Sequence, residues 1–279
     1  MTDYSNLNLL PTPEMNKYLS RAVLNREQLK TKKGKCSPKP HYPVKVFEFI
    51  TNLACKRDCE ECVRKPLHAL LLDYECTVEE IQTFVELAET HHRIFPAIRL
   101  SGGDALLWSG LDEAIEILKK TAMVKTLEIM LSPLESDLDR LMQIAPAFDV
   151  MYLSRRADNG NVIDTMKRAF PRKIAGKRKY EHFVNPLYPI ANCKPRMCDA
   201  AWATYFLGRV WPCPNFCFIW FKAAHSLHLK EMEPFSTPLS EEIVSPTDWN
   251  IGCMNGICGL CMNNKHIQGK LEKVSVLPK

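Results

Sequence analysis

A chain of 279 residues with 46% hydrophobic and 25% charged residues can bury one large core, or a core plus a small module, which excludes a disordered or fibrous protein. Its net charge of +5, from 37 Lys and Arg against 32 Asp and Glu, is too mild to demand a polyanionic partner, and no run reaches the roughly 18 apolar residues of a membrane helix. Twelve cysteines, with no basic-then-apolar leader over residues 1–6, set the expectation of a cytoplasmic protein that uses thiols for metal ligation rather than disulfides, with neither membrane nor nucleic acid as partner.

Residues 1–43 are polar, basic and dotted with proline (Pro11, Pro13, Pro38, Pro40, Pro43). They read as an N-terminal extension with one short helix around residues 14–29, and Cys36 within it reads as a bystander. The apolar run 44–50 predicts a strand. It leads into a polar loop, residues 51–62, that carries Cys55, Cys59 and Cys62 at C-x3-C-x2-C spacing. Thr77 and Glu80 form the T-x-x-E capping pattern before an apolar helical face at Val78, Ile81, Val85 and Ala88. A strand over 97–101 follows, broken by Gly102, Gly103 and Asp104. Leu111, Ala114, Ile115 and Leu118 mark a second helix, and residues 126–131 a third strand ended by Ser132 and Pro133. Leu138, Leu141, Met142 and Ala145 mark a third helix, 149–154 a fourth strand, 162–170 a fourth helix, and 180–187 a weaker fifth strand. The basic runs 26–39 and 171–179 read as solvated surface. Strands alternating with helices at this spacing predict βαβ units, a parallel sheet and right-handed crossovers. The expected fold class is α/β, a partial (βα) TIM-like barrel of five to six parallel strands over residues 44–190.

The three cysteines define the chemistry. A structural zinc site closes with four ligands, and neither His68, beyond Pro66, nor Cys76 stands near enough in sequence to be the fourth. Iron–sulfur clusters are usually held by four cysteines, so three predict a cluster with one open iron. A zinc loop or three packed thiols is the plainer alternative. The side-chain alternation of strands adds a second feature. Counting back in twos from the strand ends places Glu48, Arg99, Glu128 and Tyr152 in phase with the loop-end residues Asn52, Ser101, Ser132 and Ser154. Buried charges must be paired or hydrogen-bonded. These four residues are expected to line a polar pocket, with an internal Glu–Arg network as the alternative.

The C-x3-C-x2-C loop after a first strand resembles the radical S-adenosylmethionine (SAM) family. That resemblance implies a [4Fe–4S] cluster on Cys55, Cys59 and Cys62, whose open iron chelates SAM. Gly102, Gly103 and Asp104 then resemble the family's G-G-E motif for the amino group of SAM, with Ser101 before them as a further SAM-site candidate. Ser132 and Ser154 stand where the family contacts its ribose and carboxylate, and Glu61 stands where an aromatic residue usually meets the adenine. Asp104 is shorter than the usual Glu, and Ala105 replaces a common Pro. Small members of the family use a barrel reduced in the same way.

Beyond residue 192 the composition changes. Cys193, Cys198, Cys213, Cys217, Cys253, Cys258 and Cys261 cluster in a segment read as a separate module over 191–265, followed by a tail, 266–279. Residues 198–213 have aromatic and aliphatic arms around Gly208, which predicts a hairpin that brings its end cysteines together. Its C-x9-G-x4-C spacing, with C-x4-C-x2-C at Cys253, Cys258 and Cys261, resembles the SPASM and twitch modules of one branch of the family. The resemblance implies one auxiliary [4Fe–4S] cluster on Cys198, Cys213, Cys258 and Cys261, with Cys217 and Cys253 as alternates or as part of a second cluster, and zinc as the rival occupant. The aromatic run Phe218–Phe221 reads as module core, or as a cavity wall.

The function implied is that of a radical SAM oxidoreductase or maturase. It reductively cleaves SAM to a 5′-deoxyadenosyl radical and abstracts hydrogen from a peptide, protein or small-molecule substrate, in a dehydrogenation or crosslink. A one-electron donor such as a flavodoxin or ferredoxin is then a partner. The alternative from another class is a non-catalytic zinc or iron–sulfur protein.

Overall fold

The structure, a computed structural model, describes residues 4, 6–19, 44–59, 62, 64–177, 202–211, 215–233 and 236–239. Its centre is one mixed, mostly parallel sheet. Strands β2 (Val46–Ile50), β3 (Ala97–Ser101), β4 (Leu127–Leu131), β5 (Val150–Ser154) and β6 (Ile174–Lys177) pair in parallel in chain order. A sixth parallel strand, β7 (Trp202–Phe206), joins the free side of β2. Strands β8 (Arg209–Trp211) and β10 (Thr237–Pro238) then extend that side antiparallel, giving the order β10-β8-β7-β2-β3-β4-β5-β6. A separate two-residue pairing joins β1 (Asn8–Leu9) to β9 (Leu227–His228). No helix among the described residues is long and apolar enough to cross a membrane.

The connections are the helices that the 3.6-residue periodicity predicts. After a short helix α1 (Lys65–His68) come α2 (Val78–Thr90), α3 (Leu111–Lys120), α4 (Leu138–Ile144) and α5 (Gly160–Ala169). Thr77 caps α2 as its pattern predicts. Its hydroxyl accepts from the Glu80 amide at 3.2 Å, and Glu80 Oε2 accepts from the Thr77 amide at 2.9 Å. The remaining Glu80 oxygen accepts from the Tyr205 hydroxyl at 2.7 Å, which ties β7 to the start of α2.

Alternate strand residues, among them Phe47, Phe49, Ile98, Leu100, Ile129 and Met151, pack with Ile81, Phe84, Leu118 and Val162 of these helices in the main apolar cluster. The other face of the sheet meets a second cluster. Its centre is α6 (Phe216–Ala224), with α7 (Leu229–Met232), and it takes in Ile50, Leu53, Leu67, Phe206 and Trp211.

Three elements differ from the sequence reading. The N-terminal helix expected around 14–29 is a 3-10 helix over Pro13–Tyr18 as far as the described residues reach. A strand lies at Ile174–Lys177, inside the basic run read as surface, while the expected strand at 180–187 lies outside the described residues. It is an edge strand among the described residues, pairing only with β5, so basic residues cost it little. A hairpin forms around Gly208, with a two-residue turn in which Leu207 and Gly208 both have positive φ, 54° and 71°, while its end cysteines, Cys198 and Cys213, lie outside the described residues. Its first arm, however, is hydrogen-bonded into the main sheet beside β2.

Candidate functional site

Residues at the carboxyl ends of the parallel strands assemble into one continuous structure. β2 runs directly into the cysteine loop, and that loop is stitched to the turn after β3. The Thr51 amide donates to Ser101 O at 2.6 Å, the Gly103 amide to Asn52 O at 2.9 Å, and the Asp104 amide to Ala54 O at 2.7 Å. The Asn52 side chain returns a bond to Asp104 O at 3.0 Å. The paired glycines make this possible. A Cβ on Gly102 would lie 2.5 Å from Asn52 Oδ1, and one on Gly103 only 2.2 Å from Ala54 O. Close approach to the cysteine loop is thus a sufficient reason for both glycines, whatever ligand they also meet.

Three cations of the loop region fasten it further, and the sequence reading missed all three. Lys56 Nζ lies 2.5 Å from Asp137 Oδ1 and 3.8 Å from Asp104 Oδ2. Arg57 reaches across the strand ends. Its Nε donates to Ser132 O at 2.6 Å, one terminal nitrogen to Pro133 O, and the other to both oxygens of Asp158 at 3.0 and 2.9 Å. Arg64 donates to Gly102 O, to Glu48 Oε1 at 3.2 Å and to Ser101 Oγ at 3.3 Å, and its guanidinium lies 5.4 Å from the ring centre of Phe218. The readable signal was four Lys and Arg among residues 56–65, beside the carboxylates that end or follow neighbouring strands. Asn159 completes the fastening, donating to Pro133 O and Ser154 O, each at 3.0 Å.

Cys55, Cys59 and Cys62 are all half-buried free thiols. Burial raises the Cys55 pKa, the Arg57 amide opposes that rise by donating to its sulfur at 3.4 Å, and Asp104, Cys62 and Cys59 add to it by their negative charge. The three thiols therefore share one electrostatic neighbourhood. Among the described residues, no three Cys, His, Asp or Glu side chains stand as a ready set of ligands for a single metal ion. Three cysteines on one loop match the thiolate donor chemistry by which iron–sulfur clusters are held. Cys217 lies on α6, buried in the second apolar cluster. Glu61, Cys198, Cys213, Cys253, Cys258 and Cys261 lie outside the described residues.

Asp104 caps a short 3-10 turn, its Oδ1 accepting from the Leu106 amide at 3.1 Å. Burial raises its pKa, while that amide and Lys56 lower it. Ser101 donates its hydroxyl to Glu48 Oε1 and is buried. Ser132 Oγ is a buried atom without a hydrogen-bond partner among the described residues, and Ser154 is half-buried at the end of β5.

Glu48, Arg99 and Glu128 are register partners on three adjacent strands, flanked by Thr204 on β7. They form a buried row of alternating charge. Arg99 holds Glu128 Oε2 through Nε at 2.8 Å and Nη2 at 2.5 Å, and stacks 4.4 Å above the Tyr152 ring. Burial and the Glu128 charge raise the Tyr152 pKa, and Arg99 opposes them. Glu48 Oε2 and Thr204 Oγ1 have no hydrogen-bond partner among the described residues. The structure thus gathers all four residues read as in phase onto one face, and pairs two of them with each other.

No protein-family model matches this chain, and no curated protein matches it. Among solved structures, the fold is similar to that of BtrN in complex with AdoMet and 2-DOIA, with 14% sequence identity and a TM-score of 0.50 over 79% of this chain and 94% of that one. It is also similar to SeMet BtrN in an open conformation, with 14% identity and a TM-score of 0.48 over 80% of this chain and 98% of that one. At this identity the first likeness is one of fold: a mixed α/β chain around a mostly parallel sheet.

Proposed function

We propose that the chain is a radical SAM enzyme. The observation that carries this reading is the cysteine loop at the carboxyl end of β2, bonded along its backbone to the paired-glycine turn after β3. The carboxyl ends of parallel strands are where barrels of this kind carry their chemistry. The likeness in fold to BtrN, whose crystal structure holds AdoMet, supports it.

In this reading Cys55, Cys59 and Cys62 would hold a [4Fe–4S] cluster, with SAM beside Ser101, Gly102, Gly103 and Asp104 and toward Glu61, Ser132 and Ser154. When bound, the pair would supply a transferred electron and a carbon radical able to take hydrogen from substrate. The chain supplies orientation. Lys56, Arg57 and Arg64 hold the thiol loop against the ends of β3 and β4, and Arg57 also grips Asp158 beyond β5. The second apolar cluster, with Phe218 against Arg64, shields one side from water. Glu48, Arg99, Glu128 and Tyr152 form the polar floor against which a hydrophilic substrate would sit. A peptide, protein or small molecule is the substrate class, and a flavodoxin or ferredoxin the electron donor. Oxidative modification, as dehydrogenation or crosslinking, is the reaction, and a cytoplasmic site suits its oxygen sensitivity. One auxiliary cluster on Cys198, Cys213, Cys258 and Cys261 completes the proposal.

The test is anaerobic reconstitution with iron and sulfide, followed by dithionite and SAM. Bound iron and inorganic sulfide, and 5′-deoxyadenosine formed in excess over a Cys59→Ala control, are the expected results. Bound zinc without sulfide, or a full cluster load that never yields 5′-deoxyadenosine, would overturn the reading and favour a non-catalytic metalloprotein.

A further inference from the structure

Helix α6 is buried along its whole length except at Lys222, which is half-buried. Lys222 follows Phe218 by one helical turn and so lies on the same face of α6. That face is turned to the cysteine loop, because the Phe218 ring lies 5.4 Å from the guanidinium of Arg64, two residues after Cys62, and α6 packs on α1 directly beyond. Among the described residues Lys222 has no hydrogen bond and no ion pair. Burial draws its pKa below the ordinary lysine value, and the negative charge of Cys62 opposes this. An ammonium in an apolar helix, with no carboxylate paired to it among the described residues, is costly. Methionine would pack there at less cost, unless an anion forms within reach.

We propose that Lys222 is the counter-charge of the cluster on its Cys62 side and makes that cluster easier to reduce. The inference rests on Cys55, Cys59 and Cys62 being the cluster ligands. A cluster core held by three thiolates is net negative and gains a further negative charge with the electron, so a nearby fixed cation stabilises the reduced form more than the oxidised one. Lys222 touches no reacting atom in this scheme; it acts through the cluster.

The experiment is a redox titration of the anaerobically reconstituted full chain, followed by electron paramagnetic resonance. The spectrum of Cys59→Ala identifies any signal from an auxiliary cluster. In Lys222→Met, which keeps the length of the side chain and removes the charge, the equilibrium constant for one-electron reduction is expected to fall about tenfold, which is ~59 mV toward more negative potential. Lys222→Arg is expected to titrate with the wild type. A Lys222→Met protein that titrates with the wild type, or a Lys222→Arg protein that shifts as far as Lys222→Met, would overturn the inference while leaving the cluster assignment intact. A wild-type chain that takes up no iron and sulfide would overturn both.

Discussion

The two faces of the central sheet are both buried at their middle strands and differ in chemistry there. On one, Phe47, Phe49, Ile98, Leu100 and Ile129 are fully buried against helices. On the other, their immediate neighbours Glu48, Arg99 and Glu128 are buried nearly as well, at 1%, 4% and 6% exposure, but as a charged row. A face that only had to hold the fold together would be apolar on both sides, as parallel sheets covered on both faces usually are. The contrast teaches that the second face is organised by something other than stability. Buried ion pairs contribute little net stability, and apolar replacements of similar volume are often as stable or more so.

The most severe way to test this contrast is on the apolar face. Phe47→Ala, which opens a cavity beside Phe49, Phe84 and Phe95, is expected to cost about 3–5 kcal/mol in urea unfolding, with no recovery when Phe84→Ala is added. On the polar face, Arg99→Met leaves Glu128 buried and unpaired and is expected to cost about 3–5 kcal/mol as well. Here the second substitution acts in the opposite sense: Arg99→Met with Glu128→Leu is expected to return to within about 1 kcal/mol of the wild type. A double variant as unstable as the single one would make the row structural and erase the distinction between the faces.

Smaller effects probe the strand ends. Gly103→Ala forces a methyl group into Ala54 O and is expected to cost about 1–3 kcal/mol, with iron uptake by the Cys55 loop falling in the same protein. His68, half-buried beside Arg64 and Lys65, has its pKa lowered from 6.5 to about 4, first by burial and then by those two charges. Below pH 6.5 the unfolded chain binds a proton that the folded chain refuses, so this group's contribution to stability falls between pH 6.5 and about 4 and then levels off. His68→Asn is expected to flatten that part of the urea midpoint profile. The smallest effect is Thr77→Ala, which removes one helix cap for about 1 kcal/mol and touches neither face.

Much of the scaffold was legible because local rules coincide with the tertiary outcome. The short apolar runs in 97–101 and 149–154, the Thr77–Glu80 cap and the glycine-centred hairpin all depend on near neighbours in the chain. What escaped depends on partners far away. The strand at Ile174–Lys177 has too few apolar residues to announce itself and forms because β5 offers it an edge. The aromatic run Phe218–Phe221 is apolar all round, so its period carries no signal; only its burial between loop and sheet makes it a helix. At the site, the cysteine spacing marked the loop. The reason for Gly102 and Gly103, by contrast, lies in the backbone of Asn52 and Ala54, some fifty residues earlier.

By itself the sequence determined the strand–helix alternation, the three-thiol loop at a strand end and the phase of Glu48, Arg99, Glu128 and Tyr152, since each follows from periodicity or spacing along a few residues. Tertiary structure alone decided that β7 flanks β2, that Arg57 and Arg64 bind the thiol loop to the neighbouring strand ends, and that the Phe218 ring meets Arg64. Those outcomes rest on pairing between segments up to 156 residues apart along the chain, as Val46 and Trp202 are, where burial and hydrogen-bond satisfaction, rather than local preference, choose the partner.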